Sequence, residues 1–157
     1  MFSDEQFTSL ANTYMDMIFR LAFGYLKSRA DADDVTQTVL LCLYRTDKAF
    51  ESDAHVKHWL LRVTVNECKK LLRSPWRRTE DFEAYAETLS FDGPDCAGLF
   101  EAIMALDGKC RAVVMLHYYE GYSISEISAL LRVPAGTVGT RLKRAREKLK
   151  LYLSDGG

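Results

Sequence analysis

Apolar side chains recur every three or four residues along most of this chain, and that spacing limits the fold more strictly than any other sequence feature. An α-helix turns once roughly every 3.6 residues, so the spacing places apolar residues on one helix face. No segment requires a β-strand. The sequence therefore predicts an all-α protein. The predicted helices span residues 5–26, 32–50, 55–73, about 99–106, 109–119, 123–131 and 135–153.

One segment without this period divides the chain. Residues 77–97 contain a Gly-Pro pair and carry mostly acidic charge, which is typical of an extended connector. Residues 1–76 carry ten basic and ten acidic side chains, whereas residues 99–157 carry nine basic and six acidic ones. The sequence therefore predicts two small helical domains, 1–76 and 98–157, joined by a flexible acidic linker over 77–97.

The remaining composition limits the location and the chemistry of the protein. The N-terminus lacks a signal-peptide pattern, and no apolar run approaches the roughly 18 residues that cross a bilayer. The cysteines and histidines do not show the spacing of a zinc site. We therefore expect a cytoplasmic protein with reduced thiols, no direct membrane insertion, no metal and no cofactor. These side chains are Cys42, Cys68, Cys96, Cys110, His55, His58 and His117.

Residues 123–149 have the pattern of a helix-turn-helix motif. Ser123 and Glu126 form the capping box of a short helix, and Arg132-Val133-Pro134 predicts the turn after it. The last helix can enter a DNA groove with its cations near phosphates. The same spacing also fits an ordinary helical hairpin with a charged, solvated face. The apolar seam of the last helix consists of Val138, Leu142, Ala145 and Leu149.

Four segments are similar to one protein family, in the order in which that family arranges them. Region 4.2 of the extracytoplasmic-function (ECF) sigma factors resembles SISEISALLRVPAGTVGTRLKRAREKL, and their region 4.1 resembles LDGKCRAVVMLHYYEGY. Region 2.2 resembles DADDVTQTVLLCLYR, and regions 2.3 and 2.4 resemble AFESDAHVKHWLLRVTVNECKKLLRS. The resemblance implies a region 2 helical bundle and a region 4 helix-turn-helix. It also implies a sigma factor that directs promoter-specific initiation and catalyses no reaction.

The resemblance implies protein partners as well. In similar proteins the region 2.2 helix docks on the beta-prime clamp of core RNA polymerase, which makes Asp33, Asp34 and Gln37 candidates for that contact. Acids at a helix start also act as caps, and the two roles are compatible. Region 4 implies a contact with the beta flap. An anti-sigma factor is a further expected partner, and it could hold the chain at the membrane indirectly.

The minus-ten element of the promoter is the next implied partner. By position, the loop from Phe50 to His55 captures a base flipped from the opened strand. Opening a promoter without ATP requires pockets for bases and cations for phosphates. Asn66 is favoured because an amide both donates and accepts hydrogen bonds at a base edge, whereas Trp59 is assigned mainly to core packing. The expected minus-ten contacts are Phe50, Asp53, His55, Arg62, Asn66, Lys69, Lys70 and Arg73.

The last helix is expected to bind the minus-thirty-five element. Two departures from the family pattern affect it. Gly139 stands where relatives commonly have a longer side chain, and a helical glycine costs roughly 1 kcal/mol relative to alanine. Arg132 occupies a turn position where relatives often have glycine, and a left-handed conformation there costs on the order of 1 to 2 kcal/mol. The expected minus-thirty-five contacts are Thr137, Thr140, Arg141, Lys143, Arg144 and Lys148.

The residues alone leave two alternatives open. A stand-alone transcriptional regulator would use only the helix-turn-helix, and would leave residues 1–76 unexplained unless they sense a ligand or dimerise. A metal-dependent nuclease would use Asp31, Asp33 and Asp34, because clustered carboxylates can hold Mg²⁺. These three carboxylates do not converge well, since successive residues point around the circumference of a helix.

Overall fold

The computed structural model describes residues 2–73 and 101–155, and every regular element in those ranges is helical. The predicted all-α architecture is therefore confirmed. The chain divides into two compact units, Met1–Arg78 and Thr79–Gly157. In the described part, no helix combines the length and the apolar character needed to cross a membrane.

Three helices form the N-terminal unit: α1 (Asp4–Leu26), α2 (Arg29–Arg45) and α3 (Asp53–Leu72). Each of them contacts the other two, so the apolar faces that the spacing predicted meet in one core, and removing them from water stabilises the bundle. The largest fully buried side chains of this core are Ile18, Leu21, Phe23, Leu26, Leu43, Leu60 and Leu61.

The start of α1 is fixed by a capping box that sequence analysis missed. The Ser3 hydroxyl accepts a hydrogen bond from the backbone N–H of Gln6 at 3.2 Å, and the Gln6 side chain accepts one from the backbone N–H of Ser3 at 3.0 Å. These bonds satisfy two amides that have no partner within the helix. The residue before this box, Phe2, therefore leaves the helix in a defined direction.

The second helix begins earlier than predicted, at Arg29 rather than at residue 32. The Ser28 hydroxyl accepts a hydrogen bond from the Asp31 backbone N–H at 3.2 Å and caps the helix one turn earlier. Of the acids in this segment, only Asp31 lies in the first turn. The explanation of Asp33 and Asp34 as first-turn acids is therefore wrong, because both lie in the second turn.

The connection between α2 and α3 also differs from the prediction. α2 ends at Arg45 rather than at Phe50. The Thr46 hydroxyl accepts a hydrogen bond from the Lys48 backbone N–H at 3.2 Å, a local bond that competes with continuation of the helix. α3 begins at Asp53, because the Ser52 hydroxyl caps it. The connecting loop therefore spans residues 46–52, and the predicted loop over 50–55 extended too far into α3.

The C-terminal unit contains α4 (Gly108–Val114), a π-helical turn (Met115–Tyr119), α5 (Ile124–Leu131) and α6 (Ala135–Asp155). The predicted helix over 109–119 is thus α-helical in its first part and π-helical in its last turn. α6 packs against both α4 and α5. The buried apolar side chains of this unit include Ile103, Val113, Leu116, Ile127, Leu130, Val138 and Leu142.

Residues 101–104 form a helical turn before α4, which agrees with the last part of the short predicted helix near 99–106. The Asp107 side chain then caps α4 by accepting a hydrogen bond from the Cys110 backbone N–H at 2.9 Å. Several predicted features lie outside the described residues. They are the linker 77–97, the last three residues of the predicted domain 1–76, Cys96, Leu99 and Phe100.

Arg111 is a buried arginine that sequence analysis did not single out. Its side chain is 7% exposed, and its guanidinium donates a hydrogen bond to the backbone carbonyl of Leu106. A buried charge requires such partners because it has left water. Arg111 therefore ties α4 to the residues that precede it, and its charge is not part of the exposed basic surface.

Candidate nucleic-acid interface

The helix-turn-helix consists of α5, the turn at residues 132–134, and α6. The Ser123 hydroxyl accepts a hydrogen bond from the Glu126 backbone N–H at 3.1 Å, and the Glu126 side chain accepts one from the Ser123 backbone N–H at 3.0 Å. The predicted capping box is therefore confirmed. At the turn, the Ser128 hydroxyl donates to the Val133 carbonyl at 2.6 Å, so one side chain closes the connection between the two helices.

Arg132 adopts the left-handed conformation that its place in the turn suggested, with φ 58°. Its backbone N–H donates to the carbonyl of Ser128, which terminates α5 in the manner usual for a residue of positive φ. The arginine side chain is exposed. The turn is thus retained without a glycine, and the steric cost of the left-handed backbone remains in the folded protein.

One stripe on α6 brings four of the predicted minus-thirty-five residues together. Successive residues of a helix rotate by about 100°, so Thr137, Arg141, Arg144 and Lys148 share a face beside the buried seam. The predicted contacts Thr140 and Lys143 lie farther around the helix. The Thr140 hydroxyl donates to the carbonyl of Gly136 at 2.9 Å, a bond that occupies its proton within the helix.

The cations of α6 differ in their electrostatic surroundings. The pKa of Asp107 is lowered, mainly by the hydrogen bond from the Cys110 backbone N–H and also by the nearby charge of Lys148. The charge of Lys148 is therefore partly balanced by Asp107, the residue that caps α4. Arg146, which was not among the predicted contacts, donates from Nε to the Tyr118 hydroxyl at 2.8 Å. Arg144 is exposed on the stripe. Within the described residues it has neither a nearby acid, as Lys148 has, nor a side-chain hydrogen bond, as Arg146 has.

A second stripe lies on the exposed side of α3. His55, Trp59, Arg62, Asn66 and Arg73 follow one another at steps of four, three, four and seven residues, so they share one helix face. Asn66 and Arg73 are exposed, whereas His55, Trp59 and Arg62 are half-buried. Lys69 and Lys70 flank this stripe on either side. Trp59 is half-buried and is not among the fully buried side chains of the core, so packing does not account for all of its surface.

An aromatic cluster caps the N-terminal end of this stripe. The Phe50 ring lies edge-on to His55, with centroids 5.2 Å apart, and edge-on to Trp59 at 5.5 Å. On its other side it stacks on Phe2 at 5.7 Å, with an interplanar angle of 11°. The backbone N–H of Glu51 donates to His55 Nδ1 at 3.1 Å. Aromatic and basic side chains thus form one surface, a combination that suits single-stranded nucleic acid.

Asp53 lies apart from the stripe, although it was predicted as a minus-ten contact. It belongs to the first turn of α3 and lines a cavity of about 490 Å³ together with Phe2, Leu10 and Phe50. Glu5 and Glu51 line the same cavity, so its charge is negative and disfavours phosphate. The backbone carbonyl of Asp53 accepts a hydrogen bond from the Tyr14 hydroxyl at 3.4 Å, which connects the start of α3 to α1.

The predicted polymerase contacts form a third surface, on α2. Asp33, Asp34 and Gln37 are exposed and lie on the same side of the helix. Leu41 and Tyr44 extend this side, with 46% and 41% of their surface exposed. Large apolar side chains that remain exposed beside charged ones are typical of a protein-binding surface. Neither Leu41 nor Tyr44 was singled out from the sequence.

The carboxylates of α2 do not form a metal site. Among residues 2–73 and 101–155, no group of three or more His, Cys, Asp and Glu side chains is arranged to hold a metal ion. Asp31 is half-buried, whereas Asp33 and Asp34 are exposed, and these three side chains point around the circumference of the helix. The described residues therefore offer no support for a metal-dependent nuclease.

The two units together define a class: helical DNA-binding proteins with a helix-turn-helix in one unit and a basic, aromatic surface in the other. Comparison with known families makes this class specific. The family model described as Sigma-70 region 2 matches residues 10–78, and the one described as Sigma-70, region 4 matches residues 98–149. The chain belongs to the sigma-70 family and is one of its ECF sigma factors.

Curated relatives agree over almost the whole chain. SigW of Bacillus subtilis, an ECF RNA polymerase sigma factor, is 28% identical over an alignment of 170 positions, gaps included, that covers 96% of this chain and 90% of the relative. SigM of Mycobacterium tuberculosis is 33% identical, with 94% and 76% covered. The sigma-E factor of Escherichia coli is 29% identical, with 91% and 84% covered. Sigma factors of this family are not catalytic enzymes.

Solved structures support the same fold. The sigma factor RpoE of Bartonella quintana, solved with the anti-sigma factor NepR, has a TM-score of 0.72 at 20% identity, and 94% of this chain and 96% of that chain are covered. CnrH, solved with the cytosolic domain of CnrY, has a TM-score of 0.70 at 24% identity, with 99% and 92% covered. Because the family model of region 2 accounts for the N-terminal unit, a sigma factor is favoured over a stand-alone regulator.

Proposed function

We propose that this chain binds core RNA polymerase and directs promoter-specific transcription initiation. The N-terminal unit binds the opened minus-ten element, and the C-terminal unit binds the minus-thirty-five element. The observation that carries this proposal is the exposed stripe on α3, which joins aromatic rings, an amide and cations on one helix face. Such a surface suits an unpaired strand better than a closed duplex, because bases stack on rings only after they leave the helix.

The minus-ten contact begins at the aromatic cluster. Phe50 and Trp59 offer ring surfaces, and Asn66 offers both a donor and an acceptor to a base edge. Arg62 and Arg73, with Lys69 and Lys70 beside them, supply charge for the phosphates of the strand. His55 contributes its ring and orients the loop through Glu51. Asp53 is the least suited of the predicted contacts, because it lies on the opposite side of α3 from His55 and lines an acidic cavity that disfavours phosphate.

The minus-thirty-five contact uses the stripe on α6. Thr137 and Arg141 lie near the N-terminal end of α6, the end that contacts base edges in helix-turn-helix proteins. Arg144 is exposed at the centre of the stripe, and Lys148 is shared with Asp107. Thr140 and Lys143 lie at the edge of this surface, where they reach the DNA backbone rather than a base edge.

The exposed side of α2 binds the beta-prime clamp in this proposal. Asp33, Asp34 and Gln37 supply polar contacts, while Leu41 and Tyr44 supply apolar area at the centre. The C-terminal unit contacts the beta flap. The two DNA contacts are each weak until polymerase fixes the distance between them, since linked sites bind at a high effective concentration.

An anti-sigma factor is a further proposed partner. It is supported by the solved relatives in which RpoE is held by NepR and CnrH by CnrY. Such a protein would cover the surfaces that polymerase requires, because one surface cannot serve two partners at once. In this proposal the chain acts in the cytoplasm, where it meets polymerase.

Reconstitution with core polymerase tests the proposal. We expect the purified chain and core enzyme to initiate on a subset of a random promoter library, and the selected DNA to share two separated elements. Asn66→Ala should reduce initiation on those promoters without weakening binding to core polymerase. Asn12→Ala, which removes an exposed amide from α1 rather than from α3, is the matched control. If core polymerase initiates equally with and without the chain, the proposal is wrong.

A further inference from the structure

We propose that Phe2 is a positioning residue for the minus-ten site. It holds the Phe50 ring, and through it the His55 and Trp59 rings, in the orientation that receives the opened strand. This inference rests on the proposed function. No residue before position 10 is part of the matched region 2 model, so family membership assigns no role to Phe2.

The start of α1 directs Phe2 towards the loop. Phe2 immediately precedes the capping box of Ser3 and Gln6, whose two hydrogen bonds fix the direction in which the chain leaves the helix. In many proteins the residue at this position packs on the next turn of its own helix. Here its ring stacks instead on Phe50, which lies nearly fifty positions later in the chain, with centroids 5.7 Å apart.

The loop that carries Phe50 has few other restraints. Apart from the caps at its ends, its hydrogen bonds within the described residues are Lys48 N–H to the Thr46 hydroxyl and Glu51 N–H to His55 Nδ1. Neither bond involves the Phe50 side chain. The ring is therefore oriented by its neighbours alone: Phe2 stacks on one face, and the His55 and Trp59 rings lie edge-on to it.

Removal of Phe2 would leave one face of Phe50 without a partner. The ring could then rotate towards the cavity that Phe2, Leu10 and Val56 line with it. Its contacts with His55 and Trp59 would be lost for part of the time. An opened strand would have to reorder these rings on binding, and that cost weakens binding. Phe2 thus acts through Phe50 and need not touch the DNA.

The test measures two affinities of the reconstituted holoenzyme. A labelled single strand carrying the non-template minus-ten element of a selected promoter reports strand capture, and labelled core polymerase reports assembly. We expect Phe2→Ala to weaken strand binding by about two- to tenfold, the range of one aromatic pair. Binding to core polymerase should change by less than about twofold. Phe2→Tyr should restore strand binding, because it keeps the flat ring.

Phe19→Ala is the matched control. Phe19 stacks on Phe23 at 6.4 Å elsewhere on α1, so this variant also loses an aromatic pair of the same unit. It should not alter strand capture. If Phe2→Ala captures the strand as the original chain does, or if Phe19→Ala weakens capture equally, Phe2 is not a positioning residue. If the original holoenzyme captures no strand at all, the proposed function itself fails. Should Phe2→Ala not fold, Phe2→Leu provides the same comparison.

Discussion

The Ser128 hydroxyl donates a hydrogen bond of 2.6 Å to the Val133 carbonyl, across the turn in which Arg132 adopts a positive φ. This bond joins the last turn of α5 to the residue before Pro134. The backbone conformation at Arg132 is therefore imposed by its neighbours, and its side chain is exposed. The helix-turn-helix geometry depends on this turn, because the turn sets the angle at which α6 leaves α5.

Replacement of Arg132 by glycine should stabilise the C-terminal unit. Glycine adopts positive φ without the clash of a Cβ atom, and the relief is on the order of 1 to 2 kcal/mol. Part of it is offset because glycine has more freedom in the unfolded chain, so we expect a net gain of about 1 kcal/mol in the free energy of unfolding. Urea denaturation measures it. An Arg132→Gly chain of unchanged or lower stability would contradict the steric account.

Two glycines should respond to alanine in opposite directions. A Cβ added at Gly139 or at Gly121 meets no atom within 4 Å, so space does not distinguish them. Gly139 lies inside α6, and Gly139→Ala should raise the unfolding free energy by about 1 kcal/mol. Gly121 has φ 72°, and Gly121→Ala should lower it by about 1 kcal/mol. Thermal or urea unfolding of both variants measures the two changes in unfolding free energy. Changes of the same sign would contradict this prediction.

Acid should weaken the cap of α4 through Asp107. Its folded-state pKa is lowered, mainly by the hydrogen bond from the Cys110 backbone N–H. The charged carboxylate therefore stabilises the folded protein at pH values above 3.8, the ordinary pKa of the group. That contribution is lost as pH falls through the lowered pKa. Asp107→Asn keeps an acceptor but cannot titrate. Its stability should therefore fall less than that of the original chain between pH 6 and about pH 3.

Ser123→Ala is the control for that comparison. It removes an uncharged cap and should cost about 1 kcal/mol equally at both pH values. Urea denaturation at each pH gives the stability that the original chain, Asp107→Asn and Ser123→Ala each lose in acid. An Asp107→Asn chain that loses as much stability in acid as the original would show that Asp107 does not carry the effect.

Arg144 should matter more than Lys143 for binding to the minus-thirty-five element. Arg144 is exposed on the stripe with Arg141 and Lys148, whereas Lys143 lies farther around α6. If Arg144 touches a base edge, Arg144→Ala should weaken binding on the order of tenfold and relax preference at one position. If it touches only a phosphate, the salt dependence of binding should fall by about one ion. Filter-binding or anisotropy titrations of the holoenzyme at several salt concentrations measure both the affinity and its salt dependence. If Lys143→Ala weakens binding as much as Arg144→Ala does, the prediction is wrong.

Helix ends were predicted well where neighbouring residues alone fix them. The Ser123–Glu126 capping box and the turn at Arg132 were both identified from a few adjacent residues. The box of Ser3 and Gln6 was of the same kind and was overlooked. The ends of α2 were wrong because the Ser28 and Thr46 hydroxyls could each fit a loop or a cap, and a pattern of residue types does not show which hydrogen bond forms.

The candidate surfaces were only partly predictable. Arg62, Asn66 and Arg73 were expected among the minus-ten contacts, and they share one side of α3. Asp53 and Lys148 were grouped with DNA contacts by position and charge, yet one lines an acidic cavity and the other lies near Asp107. Those surroundings come from distant elements, and the spacing of residues along one helix contains no information about them.

Periodicity and local motifs were enough to predict the all-α class, the grouping of the helices into two domains, and the cations of α3 and α6. Each of these features depends on residues within one segment. The stacking of Phe2 on Phe50 and the hydrogen bond from Arg146 to Tyr118 could not be predicted in this way. Such pairs join residues far apart in the chain, and their contact depends on how whole helices pack. Packing is a property of complementary surfaces, and no local pattern specifies which surfaces meet.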